Sequence, residues 1–282
     1  MTSLLDAIAA GIAVHDLGRP LQTGIPSSPN HPGFRMTLLR RHGDMVRTDG
    51  SSAANELIIT GGHVGTHMDA LAHVSHEGLL HGGVPIEDAM DGGRFTTHGA
   101  DALPATLTRG VLLDVARANG TDCLPAGHGI TPAELDLAAA QAGVEVGSGD
   151  VVLIRSGWGR LWSDAEAYVG LDTGVPGPTE AAANWLIDRR VRATGSDTIA
   201  YEQITRDLGH GLLPVHRRLL VDEGIPIIEI LDLEGIGAAE VHEFCLVLAP
   251  LNVVGGTGAP VRPLAVVNAS GNGPGTEDAG AG

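Results

Sequence analysis

The segment from His63 to His73 reads His-Val-Gly-Thr-His-Met-Asp-Ala-Leu-Ala-His and places three histidines and one carboxylate within eleven residues. Neutral imidazole and carboxylate are the usual protein ligands of zinc, manganese and iron. The segment therefore predicts a metal site. A histidine-rich surface loop is the alternative, because the chain has 13 histidines among its 282 residues.

The spacing of these residues restricts the backbone that could bring them to one ion. On an α-helix, at about 100° per residue, His67 and Asp69 would point about 200° apart and could not share a metal. On a straight strand they share a face, but His63 and Asp69 would lie roughly 20 Å apart at about 3.3 Å per residue. The chain must therefore curl between them, and Gly65 is the residue that permits the curl.

The full pattern H-x-G-T-H-x-D-x-x-x-H resembles the signature of the cyclase family of metal-dependent hydrolases, whose best-known members are bacterial kynurenine formamidases. That family usually has proline where Leu71 stands, and the Ala-Leu form resembles its isatin hydrolase branch. The resemblance implies that His63, His67 and Asp69 bind metal and that His73 is the general acid and base. On spacing alone, His63 or His67 could exchange roles with His73.

A second group of candidate ligands lies more than 140 residues later in the chain. Glu229 interrupts the apolar run from Ile225 to Leu231, and a buried carboxylate is costly unless it is paired or bound to a cation. An edge strand with Glu229 facing water is the alternative, and His216 alone is typical of a surface histidine. The family's second metal-binding segment resembles residues 216–231 of this chain, which read H-R-R-L-L, then four further residues, then I-P-I-I-E-I-L. By that resemblance His216 and Glu229 complete a second cation site that shares Asp69.

The chemistry expected of such a site is hydrolysis. Two cations can polarise a carbonyl and deliver a hydroxide, since metal-bound water can have a pKa near 7 against roughly 15.7 in bulk. His73, with an ordinary pKa of about 6.5, could protonate the leaving group. We expect one or two Zn²⁺ or Mn²⁺ ions per chain and cleavage of a non-peptide carbon–nitrogen bond. The substrate expected is a small aromatic amide or lactam, either N-formylkynurenine-like or, as Leu71 favours, isatin-like.

Other functions remain open at this point. A lactone hydrolase and a polyketide-type carbon–carbon cyclase would need similar residues, and a non-catalytic metal-binding protein would not need His73. A serine hydrolase is disfavoured because the chain has no G-x-S-x-G motif. Side chains that could contact the substrate, with core packing or a solvated loop as the alternative for each, are Phe34, His81, Trp158 and Trp162.

Composition excludes several classes of partner. Acidic residues outnumber basic residues 34 to 17, and the net charge of −17 disfavours nucleic acid and anionic membranes. No apolar run is long enough to cross a membrane, and the first 14 residues lack the basic start of a signal peptide. Two cysteines are too few for a disulfide framework, which favours a reduced, cytoplasmic protein.

The order of predicted elements indicates the fold class. Strands and helices alternate through the second half of the chain, which favours an α/β domain with a central sheet. We expect one domain over residues 1–268 and a disordered tail over 269–282. The resemblance implies a mixed, partly barrel-like sheet flanked by helices, of the swivelling β/β/α type. It also implies a homodimer or homotetramer. The proline-rich loop from Ile25 to Pro32 could wall a pocket, reach a neighbouring subunit or simply connect two elements.

Overall fold

The computed structural model describes residues 4–207 and 209–269, so most of the predicted tail lies outside the described residues. Within that part of the chain, no helix is long and apolar enough to cross a membrane. The helices are α1 (Leu4–Ala9), α2 (Ile86–Ala89), α3 (Val115–Ala118), α4 (Pro132–Ala142), α5 (Ala165–Val169), α6 (Glu180–Asp188), α7 (Pro214–His216) and α8 (Glu234–Ala238). The strands are β1 (Ile12–Asp16), β2 (Arg35–Arg40), β3 (Asn55–Ile59), β4 (His67–Asp69), β5 (Leu79–Leu80), β6 (Val84–Pro85), β7 (Met90–Asp91), β8 (Arg94–Phe95), β9 (Thr106–Asp114), β10 (Gly129–Ile130), β11 (Val151–Arg155), β12 (Gly177–Pro178), β13 (Ala193–Ser196), β14 (Ile227–Glu229), β15 (Glu243–Leu248), β16 (Gly258–Pro260) and β17 (Leu264–Asn268).

One large sheet organises the described part of the chain. Nine strands pair in the order β1-β17-β15-β9-β11-β13-β14-β4-β16 and curl into a half-barrel. The four central strands β9, β11, β13 and β14 are parallel, whereas the strands on both sides of them pair antiparallel. The predicted α/β class with a mixed, partly barrel-like sheet is therefore confirmed.

Strand β11 is buried on both faces, as its apolar run from Val151 to Ile154 predicts. Along β11 the side chains alternate: Val152 and Ile154 belong to one core cluster, and Val151 and Leu153 belong to another. The first cluster includes residues of α4, α6 and the helix that follows Pro214. The sheet therefore separates two apolar layers, and helices cover one of them.

Local sequence signals place two of the helices. Helix α4 begins after Thr131, which forms a reciprocal capping box with Glu134, and it ends at Gly143 in the left-handed conformation. The helix that begins at Pro214 widens after His216 into a π-helical turn over 217–223. Such turns are common at functional sites because they shift a side chain out of the regular helical register.

An arm formed by β2 and β3 stands away from the core. The two strands pair antiparallel, and nearly every residue in them is exposed, including Met36, Leu38, Leu57 and Ile58. Exposed apolar surface on both faces of a hairpin is characteristic of a protein–protein contact. The proline-rich loop before the arm packs on its own chain, so the arm is the better candidate for contacting another subunit.

We propose that a second copy of this chain covers the arm and that the protein is a homodimer or homotetramer. Light scattering at micromolar concentration should then give a multiple of 28.9 kDa. Ile58→Asp, in the arm, should shift the mass toward the monomer, because burying a charge at the contact is costly. Leu171→Asp is the matched control, since Leu171 is equally exposed but lies outside the arm. A monomer mass for the wild type would contradict the proposal.

Candidate metal centre

Strands β4 and β14 bring three of the predicted ligands onto one face of the sheet. His67 and Asp69 are two residues apart on β4 and so point the same way, and Glu229 on β14 pairs directly with His67. His67 Nε2 lies 3.4 Å from Asp69 Oδ1 and 3.4 Å from Glu229 Oε2. Glu229 is 6% exposed on an interior strand, so the alternative of an edge residue facing water is wrong.

The predicted curl before β4 brings His63 back onto Asp69. Gly65 has φ +66°, and a Cβ there would come within 2.4 Å of a Leu21 methyl group, so only glycine fits. His63 Nδ1 lies 2.7 Å from Asp69 Oδ1. The His63 ring fills space that a side chain at Gly258 would occupy, since a Cβ there would lie 2.5 Å from the ring.

His216 reaches the same cluster from the start of the π-helical turn. Its Nε2 lies 3.1 Å from Glu229 Oε1 and 3.5 Å from Asp69 Oδ2. On its other side, Nδ1 lies 2.7 Å from Glu202 Oε1, and Glu202 also accepts the backbone N–H groups of Val215 and His216. A carboxylate held in this way fixes the Nδ1–H tautomer and leaves Nε2 available to a metal.

A similar hydrogen bond orients His67. Its Nδ1 lies 2.8 Å from the carbonyl oxygen of Gly65, to which it donates, and in the neutral ring Nε2 is therefore the unprotonated atom facing Asp69 and Glu229. The same glycine thus permits the curl and fixes the imidazole.

His73 lies at the edge of the cluster, against the ring of His63. Its ring stacks on that of His63, with centroids 4.0 Å apart and an interplanar angle of 28°, and it lies 6.2 Å from the His216 ring. Within residues 4–207 and 209–269, two groups have ligand atoms close enough to hold an ion: His63, Asp69 and His73, and His67, Asp69 and Glu229. Distance alone therefore leaves His73 either as a ligand or as an acid and base.

The charges of the cluster favour a bound cation. Burial lowers the pKa of His67, but its interactions with Asp69 and Glu229 outweigh this effect and raise the pKa to about 10. Burial raises the pKa of Asp69, yet the surrounding histidines, His73 first, outweigh it and hold the pKa well below its usual range. The buried carboxylates therefore stay ionised and require positive charge, which protonated imidazoles or a metal ion can supply.

Two orphaned atoms show that the residues fit a metal. Among the described residues, buried His67 Nε2 and Asp69 Oδ2 have no hydrogen-bond partner. The nearby His216 Nε2, 3.5 Å from Asp69 Oδ2, is too far for a good hydrogen bond. Leaving such groups unsatisfied costs about 1–3 kcal/mol each. Imidazole nitrogen and carboxylate oxygen are donors that zinc and manganese accept, so a divalent cation would satisfy both.

Comparison with known proteins places this centre in a family. Residues 15–203 match the model of the putative cyclase family, and this span exceeds half of the chain. The chain belongs to the putative cyclase family. The resemblance predicted from the histidine pattern is thus confirmed, and three of the five proposed ligands lie within the matched span.

Individual relatives agree with this assignment. A curated isatin hydrolase of Roseibium aggregatum is 28% identical over 227 residues, which cover 78% of this chain and 77% of that protein. A crystal structure described as a novel cyclase is 27% identical, with a TM-score of 0.82 and 93% of each chain covered. Isatin hydrolase A of Ralstonia solanacearum is 23% identical, with a TM-score of 0.71 over 95% of this chain and 98% of that chain. The last comparison supports the fold alone.

In this cyclase-family chain, two of the predicted substrate contacts lie next to the curled segment. Phe34 packs with Ile25 and Val64, and Trp162 packs against the same small cluster. The Arg19 guanidinium lies over the Trp162 ring, 5.2 Å from its centroid. Because Val64 directly follows His63, these aromatic rings are near the centre, and their contact with substrate stays a prediction.

The other two predicted contacts have different surroundings. Trp158 is buried in a separate core cluster and donates its indole N–H to the carbonyl of Tyr168. His81 Nδ1 lies 2.9 Å from the carbonyl of Val221, and its ring lies beside that of His98. None of these partners belongs to the His/Asp/Glu cluster, and contact of Trp158 or His81 with substrate stays a prediction.

Two residues near the centre were not predicted. Glu202, which orients His216, follows no motif, and its only sequence signal is an acidic residue beside the apolar segment Ile199 to Tyr201. His31 stacks on His63, with centroids 5.2 Å apart at 25°. Its signal was present, because it is the histidine of a proline-rich loop that could wall a pocket.

Proposed function

We propose that this chain is a metal-dependent hydrolase that cleaves the amide or lactam bond of a small aromatic substrate. The observation that carries the proposal is the buried cluster with two metal-donor atoms that lack a hydrogen-bond partner, beside the His73 imidazole. The isatin hydrolase relative, at 28% identity, supports an amide-type bond within a ring.

Five residues of the chain would hold the metal. His63, His67 and Asp69 would bind one Zn²⁺ or Mn²⁺ ion, and His216 and Glu229 would bind a second ion with Asp69 as a shared ligand. A bound divalent cation would supply polarisation of the substrate carbonyl and a water of lowered pKa. Glu202 would keep the His216 ring in the orientation that faces the ion.

His73 would move the proton. Burial lowers the pKa of His73 to about 4, despite the opposing charge of Asp69, so the ring is neutral at pH 7. A neutral imidazole can first accept a proton from the attacking water. It can then donate that proton to the leaving nitrogen as the carbon–nitrogen bond breaks. An anilide nitrogen leaves more easily than an alkyl nitrogen, which suits an acid as weak as imidazolium.

Leu71 favours an isatin-like substrate through sequence resemblance and not through a contact at the centre. Its side chain packs against the larger apolar core and, with Met68, lines an apolar cavity of about 250 Å³. Met68 lies between His67 and Asp69 on β4 and points to the opposite face. The preference for an isatin-like lactam therefore rests on the resemblance of the Ala-Leu pattern to isatin hydrolases and on the isatin hydrolase relative.

A matched lactam and lactone distinguish an amide or lactam hydrolase from a lactone hydrolase or a carbon–carbon cyclase. We predict that the wild type, loaded with Zn²⁺ or Mn²⁺, opens an aromatic lactam such as isatin or cleaves N-formylkynurenine. His73→Ala should slow the lactam more than the corresponding lactone, because an alkoxide leaves with less need of a proton. Product formation by chromatography is the measurement. A wild type that opens only the lactone would be a lactone hydrolase, and carbon–carbon bond formation would identify a cyclase.

A further inference from the structure

We infer that His31 contacts the substrate: a ring nitrogen donates a hydrogen bond to an oxygen beside the scissile carbonyl. The site would therefore select amides and lactams that carry a second oxygen acceptor next to that carbonyl, as 1,2-dicarbonyl compounds do. This inference rests on the proposed function, because it names the substrate class of the same site.

The position of the His31 ring is the first argument. It stacks on His63 and lies 6.4 Å from the His73 ring, at 44° to it. An acceptor lies about 2.9 Å from the ring nitrogen that donates to it. Two imidazoles at this separation can therefore form hydrogen bonds to two nearby polar atoms of one small molecule. If His73 serves the leaving nitrogen, His31 is placed for the oxygen on the carbon next to the scissile carbonyl.

The unused hydrogen-bonding capacity of His31 is the second argument. Among the described residues, neither of its ring nitrogens has a hydrogen-bond partner, and the ring is half-buried. The histidines beside it differ, since His63 has Asp69 and Thr257 as partners and His216 has Glu202 and Glu229. A neutral imidazole offers one donor and one acceptor. A ring placed in a catalytic centre with both unused is available to a ligand.

The third argument is that the loop holds the ring in place. Pro29 and Pro32 flank it and restrict the backbone, and the His31 N–H donates to the carbonyl of Ser28 at 3.1 Å. The carbonyl of Pro32 accepts a hydrogen bond from Gly61, two residues before His63. The loop is thus fixed to the segment that carries the ligands. Such rigidity makes a hydrogen bond to substrate effective, because little freedom is lost on binding.

The test uses the metal-loaded protein and two variants. His31→Phe keeps an aromatic ring to stack on His63 but removes the hydrogen bond, and His31→Gln keeps a donor without the ring. Calorimetry would measure the binding of 2-aminophenylglyoxylate, the ring-opened product of isatin, and of 2-aminophenylacetate, which lacks the second carbonyl oxygen. Metal content and the kcat and KM for isatin are measured on the same samples.

The wild type should bind the keto acid more tightly than 2-aminophenylacetate. His31→Phe should keep its metal and lose this preference, with affinity for the keto acid falling about 3–30-fold, as expected for one hydrogen bond in a closed site. His31→Gln should retain part of the preference.

Three outcomes would overturn an assignment, and they differ. If His31→Phe keeps the wild-type ratio of affinities, His31 does not contact that oxygen. If His31→Phe loses its metal, the residue supports the metal centre instead. A metal-loaded wild type that hydrolyses no amide or lactam overturns the proposed function itself.

Discussion

Replacing His67 by alanine is expected to remove the metal and the hydrolytic activity together. His67 is buried between Asp69 and Glu229, and its Nε2 has no partner among the described residues. Loss of a residue that only orients a ligand typically lowers metal affinity 10–100-fold, so loss of a ligand should lower it more than about 100-fold. Elemental analysis after dialysis, with hydrolysis of the lactam on the same sample, measures both effects.

Two control variants make this result specific. His242→Ala removes a histidine that makes a long hydrogen bond, 3.4 Å, to the carbonyl of Leu112, and it should keep both metal and activity. Glu202→Gln removes the carboxylate that orients His216 and should weaken metal binding by about 10–100-fold. A His67→Ala protein that retains stoichiometric metal and activity would show that the cluster on β4 is not the metal site.

The second large effect is expected at His73, where a substitution should lower the rate and leave the metal bound. His73→Ala should keep its metal and lose about 10²–10⁴-fold in rate, the usual range for a positioned proton donor. The reason is that five other residues are proposed to hold the metal, whereas the His73 ring stacks on His63 and lies 6.2 Å from the His216 ring. Metal content and single-turnover rate separate the two roles. A His73→Ala protein that emerges without metal would make His73 a ligand.

Much of the centre could be predicted because ordinary core packing does not explain its histidines and carboxylates at these positions. The curl at Gly65 was predicted because His67 and Asp69 could not share a metal on a helix and His63 could not reach Asp69 on a straight strand, and the structure confirms it. Glu229 was predicted because a carboxylate inside an apolar strand needs a partner. In both cases the local sequence conflicts with ordinary burial, and the conflict marks a functional position.

The rest depends on contacts between distant parts of the chain, which spacing does not reveal. Glu202 meets His216 only because the segment after β13 passes beside the π-helical turn. The pairing of β16 with β4 brings two further residues to His63. Gly258 leaves room for its ring, and the Thr257 hydroxyl forms a hydrogen bond with its Nε2. Leu71 packs against the core, so its link to isatin hydrolases comes from sequence resemblance and not from a contact at the centre.

The central claim is that this chain works with a bound divalent metal. Elemental analysis of the purified wild-type protein tests it most directly, with hydrolysis measured before and after treatment with a chelator and after addition of Zn²⁺ or Mn²⁺. We predict one to two divalent cations per chain, loss of activity with the chelator and recovery with one of the two metals. Protein that contains no stoichiometric metal, and whose activity survives the chelator, would contradict the account.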